Sequence, residues 1–525
     1  MTDVDPATVD AQGEGPPPRR RRWWKIAGWA LFAFFVLRIG WAIIPRSRIT
    51  IGPETTVISE PLTPEGFVDF AAAVNARCGA GVTSENNAAV LLLQAFGPGV
   101  IEAEQRERYF ELLGIAPLPE AGAYFVDEAE FLRDKGLPQD EMLKLRQQFE
   151  DQLTAAVKQR WTDDEFPLMT EFLAANERPL ERIREATQRT RHFSPIAMPD
   201  AELLSAPLEF EQQNRWGARL LLLSGMRRLG QGDVAGAWSE VLACYRLGRL
   251  MGQSPILISV LISYALENSA SMAAQSLIRS EALTAEQARQ FLADLDGLAP
   301  IAVSADVADF GERLTSVDTY CRIAMDRYPL TDNPGQPPKF FSQVGGAFDW
   351  NLMLRQLNRQ TDRNVAAMRI DDARARQQEF AAIDAELTSR SIVTWQGVVT
   401  AALGLSGTIS QNMNNALMRL IRPAVEQFRN AEMRTDASLQ LTRIGFALAA
   451  HQREHGAYPA SLSELAPGIL AEVPVDPCGG GAYIYKPADG GFLLYSVGAN
   501  LQDDGGRSFD DNPKGDDLVL RVGGE

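Results

Sequence analysis

Residues 215–250 read RWGARLLLLSGMRRLGQGDVAGAWSEVLACYRLGRL. Apolar residues crowd both ends of this stretch, and Gly230-Gln231-Gly232-Asp233 interrupts it with turn chemistry. The reading is a helix, a tight turn and a second helix lying antiparallel to the first. Gly236, Ala237 and Gly248 are small enough to let the two helices approach closely.

Helix signals continue in both directions. Thr63-Pro64 reads as an N-cap followed by proline at the first helical position. Thr83 is expected to open the apolar helix Ala88 to Phe96, which stops at Gly97-Pro98-Gly99. Thr162 with Glu165, and Thr284 with Gln287, have capping-box spacing ahead of Phe166 to Ala175 and Phe291 to Leu298. Pro329 to Pro338 reads as a loop, helical patterning resumes at Asp349-Trp350, and Ile392 to Leu405 reads as a buried helix too short to span a bilayer. The pair at 215–250 resembles one unit of a tetratricopeptide-type repeat, although its period does not recur clearly.

The chain has 525 residues, 45% of them hydrophobic, and a formal net charge of -17. That supports a sizeable core, and the acidic balance repels phosphate backbones, so no nucleic-acid partner is expected. Cys78, Cys244, Cys321 and Cys478 are scattered without a C-x-x-C pair, which argues for buried free thiols over a local zinc or iron–sulfur site.

The N-terminus is organised for a membrane. Residues 1–22 read as a disordered cytoplasmic tail ending in Gly15-Pro16-Pro17-Pro18 and the block Arg19 to Arg22. Residues 23–45 follow as one transmembrane helix, with an apolar run from Ile26 to Ile44 closed by Pro45. Trp23, Trp24, Trp29 and Trp41 suit the interfaces, and Arg38 lies near enough to the helix end to snorkel. Basic residues are denser before the span than after it. The expected topology is therefore a single pass through a bacterial inner (cytoplasmic) membrane, N-terminus in the cytoplasm and C-terminal body periplasmic or otherwise extracytoplasmic. No small-x-small cleavage site follows the run, so the segment reads as a retained signal anchor.

Residues 46–430 form the expected α-helical body, and the character changes near Ala431. Ala437, Leu441, Ile444, Leu448 and His451 share one helix face, and the helix is expected to end at Gly456. Ala482 to Lys486 and Phe492 to Val497 flank Asp489-Gly490-Gly491 as a β-hairpin, and Leu518 to Val522 adds a third strand. The fold class is therefore mostly α, with a small α+β end at residues 431–525.

The junction Glu454-His455-Gly456-Ala457-Tyr458-Pro459, the turn Val473-Pro474-Val475-Asp476-Pro477 and the segment Tyr495-Ser496-Val497-Gly498-Ala499-Asn500 ahead of an acidic loop resemble, in order and spacing, the major pseudopilin of type II secretion systems. The resemblance covers about the last fifth of the chain. The whole chain also resembles large, uncharacterised, membrane-anchored bacterial proteins with such an end. Cys478 and three glycines stand where the family has an aromatic after the Asp-Pro turn, and several hundred residues separate the span from the pseudopilin-like part. The resemblance implies a link to type II secretion or pilus-like machinery and a calcium loop, without implying an ordinary pseudopilus subunit.

Two segments carry candidate metal chemistry. The acidic loop holds Asp503, Asp504, Asp510, Asp511, Asp516 and Asp517. Clustered carboxylates in a flexible loop suit calcium, though the spacing is not that of an EF-hand. The resemblance points to Asp516 and Asp517, with Asp503 as third ligand. His451-Gln452-Arg453-Glu454-His455 matches the H-x-x-E-H pattern of inverted zinc peptidases, in which the two histidines would chelate zinc and Glu454 activate water. No third zinc ligand is evident after it, and histidines at a helix C-terminus are favoured electrostatically in any case. His192 lies in a polar stretch with no local support for a catalytic triad. The leading expectation is a non-enzymatic, membrane-anchored interaction or scaffold protein with envelope proteins as partners. The alternative is a membrane-tethered zinc-dependent hydrolase using His451, Glu454 and His455.

Overall fold

The computed structural model describes residues 49–198, 203, 209–325, 348–390 and 406–523. The tail 1–22, the apolar span 23–45, the loop Pro329 to Pro338 and the segment Ile392 to Leu405 lie outside the described residues. Four helices form the heart of the body: α1 (Glu209–Gly230), α2 (Val234–Met251), α3 (Leu257–Ile278) and α4 (Ala285–Asp296). The 215–250 pair folds as expected, with Gly232 at φ 82° in the turn and Asp233 accepting from the Gly236 amide to start α2. α2 and α3 approach closely at Gly248, where a Cβ would meet Glu267 Cγ at 2.7 Å.

Two further helices complete the frame: α5 (Trp350–Met368), opened by Asp349, and the fifty-residue α6 (Ser406–His455). The helices between Ala88 and Ala186 pack against α1, and Phe70–Cys78 packs into the second core. The main core runs without a break from Leu92 and Phe172 through Leu221, Leu247 and Ala270 to Ile444, Leu448 and Leu520. A second core joins Phe70, Val260, Tyr264, Trp350, Met353 and Phe428. Both α3 and α6 feed side chains into both cores.

Among the described residues, α3 is the one helix long and apolar enough to cross a membrane by length and composition. It lies mostly buried inside the protein, with Glu267 against Arg249 of α2, which is the setting of a core helix.

The sheet is antiparallel in the order β1 (Ile484–Ala488), β2 (Gly491–Ser496), β3 (Leu518–Val522). Asp489-Gly490 closes the first hairpin between Ala488 and Gly491, with Gly490 at φ 70°. β3 is sealed on its outer edge by α3, as Gln275 donates to the Val519 carbonyl and Arg279 to the Arg521 carbonyl at 2.8 Å.

Local expectations differ from the structure at three helix starts. Thr63 donates its amide to the Phe67 carbonyl and closes a turn, so the helix begins at Phe70 behind Asp69. Asn87, not Thr83, caps Ala88–Phe96. Glu165 does accept the Thr162 amide, but Pro167 sets the helix start because proline suits a first-turn position. The capping box at Thr284 and Gln287 forms as expected. The boundary expected near Ala431 falls inside the continuous α6, which places Phe428 in the second core before that position and Leu441, Ile444 and Leu448 in the main core after it.

Candidate functional site

Asp476 ties the turn that follows α6 to strand β2 of the C-terminal sheet. The sequence quotes this residue only as part of a turn. In the structure it is 3% exposed and accepts from the Cys478 amide and the Ser496 hydroxyl, both at 2.9 Å. A carboxylate bonding the amide two residues on is the Asx-turn signature, the one local signal that marks it.

The acidic loop wraps back on itself through its own backbone. Asp503 Oδ1 accepts from the Gly505 amide at 2.8 Å and from the Tyr495 hydroxyl at 3.0 Å. These bonds hold its carboxyl below the usual range, the Gly505 amide acting most strongly. Lys486 in turn donates to the Tyr495 hydroxyl at 3.1 Å. Asp517 is 2% exposed and accepts the Gly506 amide at 2.7 Å. Burial pushes its carboxyl up despite that bond, and repulsion from Asp504 and Asp503 adds to the shift.

Asp516 behaves differently. Its Oδ2 accepts the Asn500 amide at 3.1 Å, and its Oδ1 lies 2.5 Å from Arg434 Nη1 of α6. The structure therefore brings Asp503 and Asp517 into one electrostatic neighbourhood with Asp504, while Asp516 faces the arginine. Asp511 is held by Arg521 at 2.9 Å and by the Ser508 amide, and Asp504 accepts the Asp516 amide at 2.8 Å. Among the described residues no three acidic, histidine or cysteine side chains converge as a group able to hold a metal ion. In this arrangement most aspartates serve as acceptors for backbone amides and arginines. A calcium ion bound by Asp503, Asp516 and Asp517 requires Asp516 to exchange Arg434 for the cation.

The H-x-x-E-H segment is committed elsewhere. The His451 and His455 rings stack at 4.2 Å with planes 22° apart. Their Nδ1 atoms face the carbonyls of Ala457 at 3.1 Å and His451 at 3.0 Å. A zinc ligand must aim a ring lone pair at the metal, and near-parallel stacked rings do not aim two lone pairs at one point. Glu454 forms a two-pronged pair with Arg289 of α4 at 2.7 and 3.0 Å, which holds its carboxyl below the usual range.

Two buried polar pairs were not visible in the sequence. His192 is 4% exposed, its Nε2 3.9 Å from a Glu211 oxygen, and neither ring nitrogen has a hydrogen-bond partner within the protein. The polar stretch around it is turned inward because Arg191 exchanges backbone hydrogen bonds with Asn86 and Ala88. The second pair is Arg249 with Glu267, 3.0 Å apart in the core.

No family model matches the chain, and no curated protein and no solved structure matches it.

Proposed function

We propose that this chain is a membrane-anchored extracytoplasmic interaction or scaffold protein, held by the span at 23–45 and linked to type II secretion or pilus-like machinery. The observation that carries the reading is α6. This helix runs to His455, with Gly456 just beyond it, and is followed by a three-stranded antiparallel sheet and an acidic loop, an order that the resemblance leads one to expect. The apolar face of the same helix is covered by the body: Leu441, Ile444 and Leu448 are buried in the main core. A helix whose packing face is occupied from within suits a rigid platform better than a filament subunit.

Calcium belongs to this proposal, with Asp503, Asp516 and Asp517 as ligands. The support is the strain on Asp517, buried beside two other carboxylates, which a bound divalent cation offsets. No observation favours the zinc hydrolase over this reading.

Three measurements test the proposal on the full chain. Protease added to intact spheroplasts should digest the C-terminal body, and components of a secretion or pilus assembly should co-purify from membranes. Calcium should raise the melting temperature, and Asp516→Asn, at a half-exposed position, should abolish that rise without unfolding the protein. A C-terminus protected in intact spheroplasts and cut only after lysis overturns the topology. A calcium response unchanged in Asp516→Asn overturns the ligand assignment.

A further inference from the structure

A cavity of about 210 Å³ opens between α1 and α3 beside the end of the helix Gln139–Ala156. Its floor is apolar, built from Ala218 and Leu222 of α1 and Leu266 of α3, with Met272 of α3 at its rim. Its rim carries three cations, Lys158, Arg215 and Arg219. The rim is locally basic although the protein as a whole carries a net charge of -17.

The three cations are not neutralised from within. Among the described residues no carboxylate lies within ion-pair range of any of them. Arg219 lies instead over the Trp216 ring, 4.6 Å from its centroid. Glu128 acts on Arg219 from a distance and is itself paired with Arg146 at 3.8 Å. Burial and the neighbouring Arg215 both disfavour the charged form of Arg219. The rim is also held in place. Ser276 of α3 donates to the Lys158 carbonyl at 2.8 Å, fixing that chain segment at the mouth.

We infer that this cavity binds a small amphiphilic anion, a carboxylate or phosphate carried on a single apolar chain. The head would sit among Lys158, Arg215 and Arg219, and the first part of the chain against Leu222, Leu266 and Met272. Guanidinium groups recognise such heads through charge-assisted and bidentate hydrogen bonds. An apolar cavity of about 150 Å³ accommodates a benzene ring. The space here therefore takes a short stretch of chain and excludes a folded partner. The inference is independent of the scaffold and calcium readings, since none of these residues belongs to the C-terminal sheet.

The test is calorimetric titration of the full chain in zwitterionic nanodiscs, with empty nanodiscs as the blank. The ligands are octanoate for a free acid, octanoyl lysophosphatidate for a lipid head, and octanol and acetate as the separated halves. Saturable one-to-one binding of either anion is expected, with octanol and acetate each weaker by about tenfold or more. The double variant R215Q/R219Q breaks no ion pair and should weaken the anion by about tenfold or more. Met272→Glu, at a side chain 44% exposed on the rim, should do the same by repulsion. Both variants should keep the parent far-ultraviolet circular dichroism. Tighter binding of octanoate assigns a free acid, and tighter binding of the lysophosphatidate assigns a lipid head. Octanol or acetate binding as well as the anionic amphiphile overturns the inference. So does an absence of saturable binding, or binding unchanged in R215Q/R219Q.

Discussion

Arg249 Nη2 lies 3.0 Å from a carboxylate oxygen of Glu267, and both side chains are sealed between α2 and α3. Attraction to the arginine does not offset the loss of water around Glu267. Burial outweighs Arg249, Asp436 adds repulsion, and the carboxyl is pushed up to about 7.

The sign of the resulting pH dependence follows. The folded-state value lies above the unfolded one, so folding favours the protonated acid. The stability this contributes is complete below the unfolded value of about 4.3 and is lost as the pH rises through about 7. The urea midpoint of the native protein should therefore fall across that window, by roughly 1–3 kcal/mol of stability. Glu267→Gln removes the titration, so the difference between native and variant midpoints should change between pH 4.5 and 7.5. A difference that stays constant across the window contradicts the burial-dominated account.

The sheet and the helical body should unfold together. Leu520 of β3 is fully buried, and its Cδ2 lies 2.6 Å from where a Cβ on Gly445 of α6 would stand. Leu520→Ala should cost about 2–5 kcal/mol, the range for a large-to-small change in a packed core. Every tryptophan lies before residue 431, and Trp238 is packed against Phe446 of α6 at 5.2 Å. Tryptophan fluorescence thus reports on the part of the chain before the sheet and on its packing against α6, and carries no signal from within the sheet. If the core is continuous, the fluorescence midpoint should fall with the loss measured at the sheet. An unmoved midpoint would make the C-terminal end an independent folding unit.

Exposed aspartates of the loop should respond to their arginine partners. Arg521, with help from the Ser508 amide and hydroxyl, draws Asp511 down to about 2. A depressed folded-state value stabilises the protein above the unfolded value of about 3.9, and that contribution is lost as the pH falls toward 2. Arg521→Gln should return the Asp511 titration toward the ordinary range, which carboxyl-carbon NMR follows directly. An unchanged midpoint would mean that the 2.9 Å pair does not persist in solution.

These relationships also mark how far the sequence could be read. The cap at Thr284 was legible because it is a contact over three residues, and the starts near Asp233 and Asp349 were legible as a turn and as a resumption of helical pattern. The Asp489-Gly490 hairpin was legible because its turn conformation is written in its residue types. Thr63 failed because the competing acceptor, the Phe67 carbonyl, satisfies its amide outside a helix. Near Ala431 the composition changes while α6 continues unbroken, and what changes there is the core that the helix packs into, which local pattern does not encode. For the candidate site, spacing alone put His451 beside His455, yet the carbonyls at the helix end set their stacked orientation. The Arg434 partner of Asp516 is 82 residues away and the Glu267 partner of Arg249 is on another helix, distances at which local pattern carries no information.

The cysteines give a last prediction. All four are free, Cys244, Cys321 and Cys478 are buried, and Cys78 is partly open. Burial pushes Cys321 and Cys478 up to about 12, and raises Cys244 further with help from Glu267. Cys78 is raised by burial too, but Arg77 and Arg191 pull against the shift. The thiolate is the reactive form, so a thiol moved from about 8.5 to about 12 carries on the order of a thousandfold less nucleophile at neutral pH. Packing closes the route as well: Cys244 lies under α3, its sulfur 3.6 Å from the Leu266 carbonyl. Native-state alkylation at pH 7.5, followed by mass spectrometry, should modify Cys78 first and the other three only after denaturation. The denatured protein should take four labels without a reductant. Cys244 labelled as fast as Cys78 in the folded protein would contradict the close approach of α2 and α3 at Gly248, and fewer than four labels would reveal a disulfide.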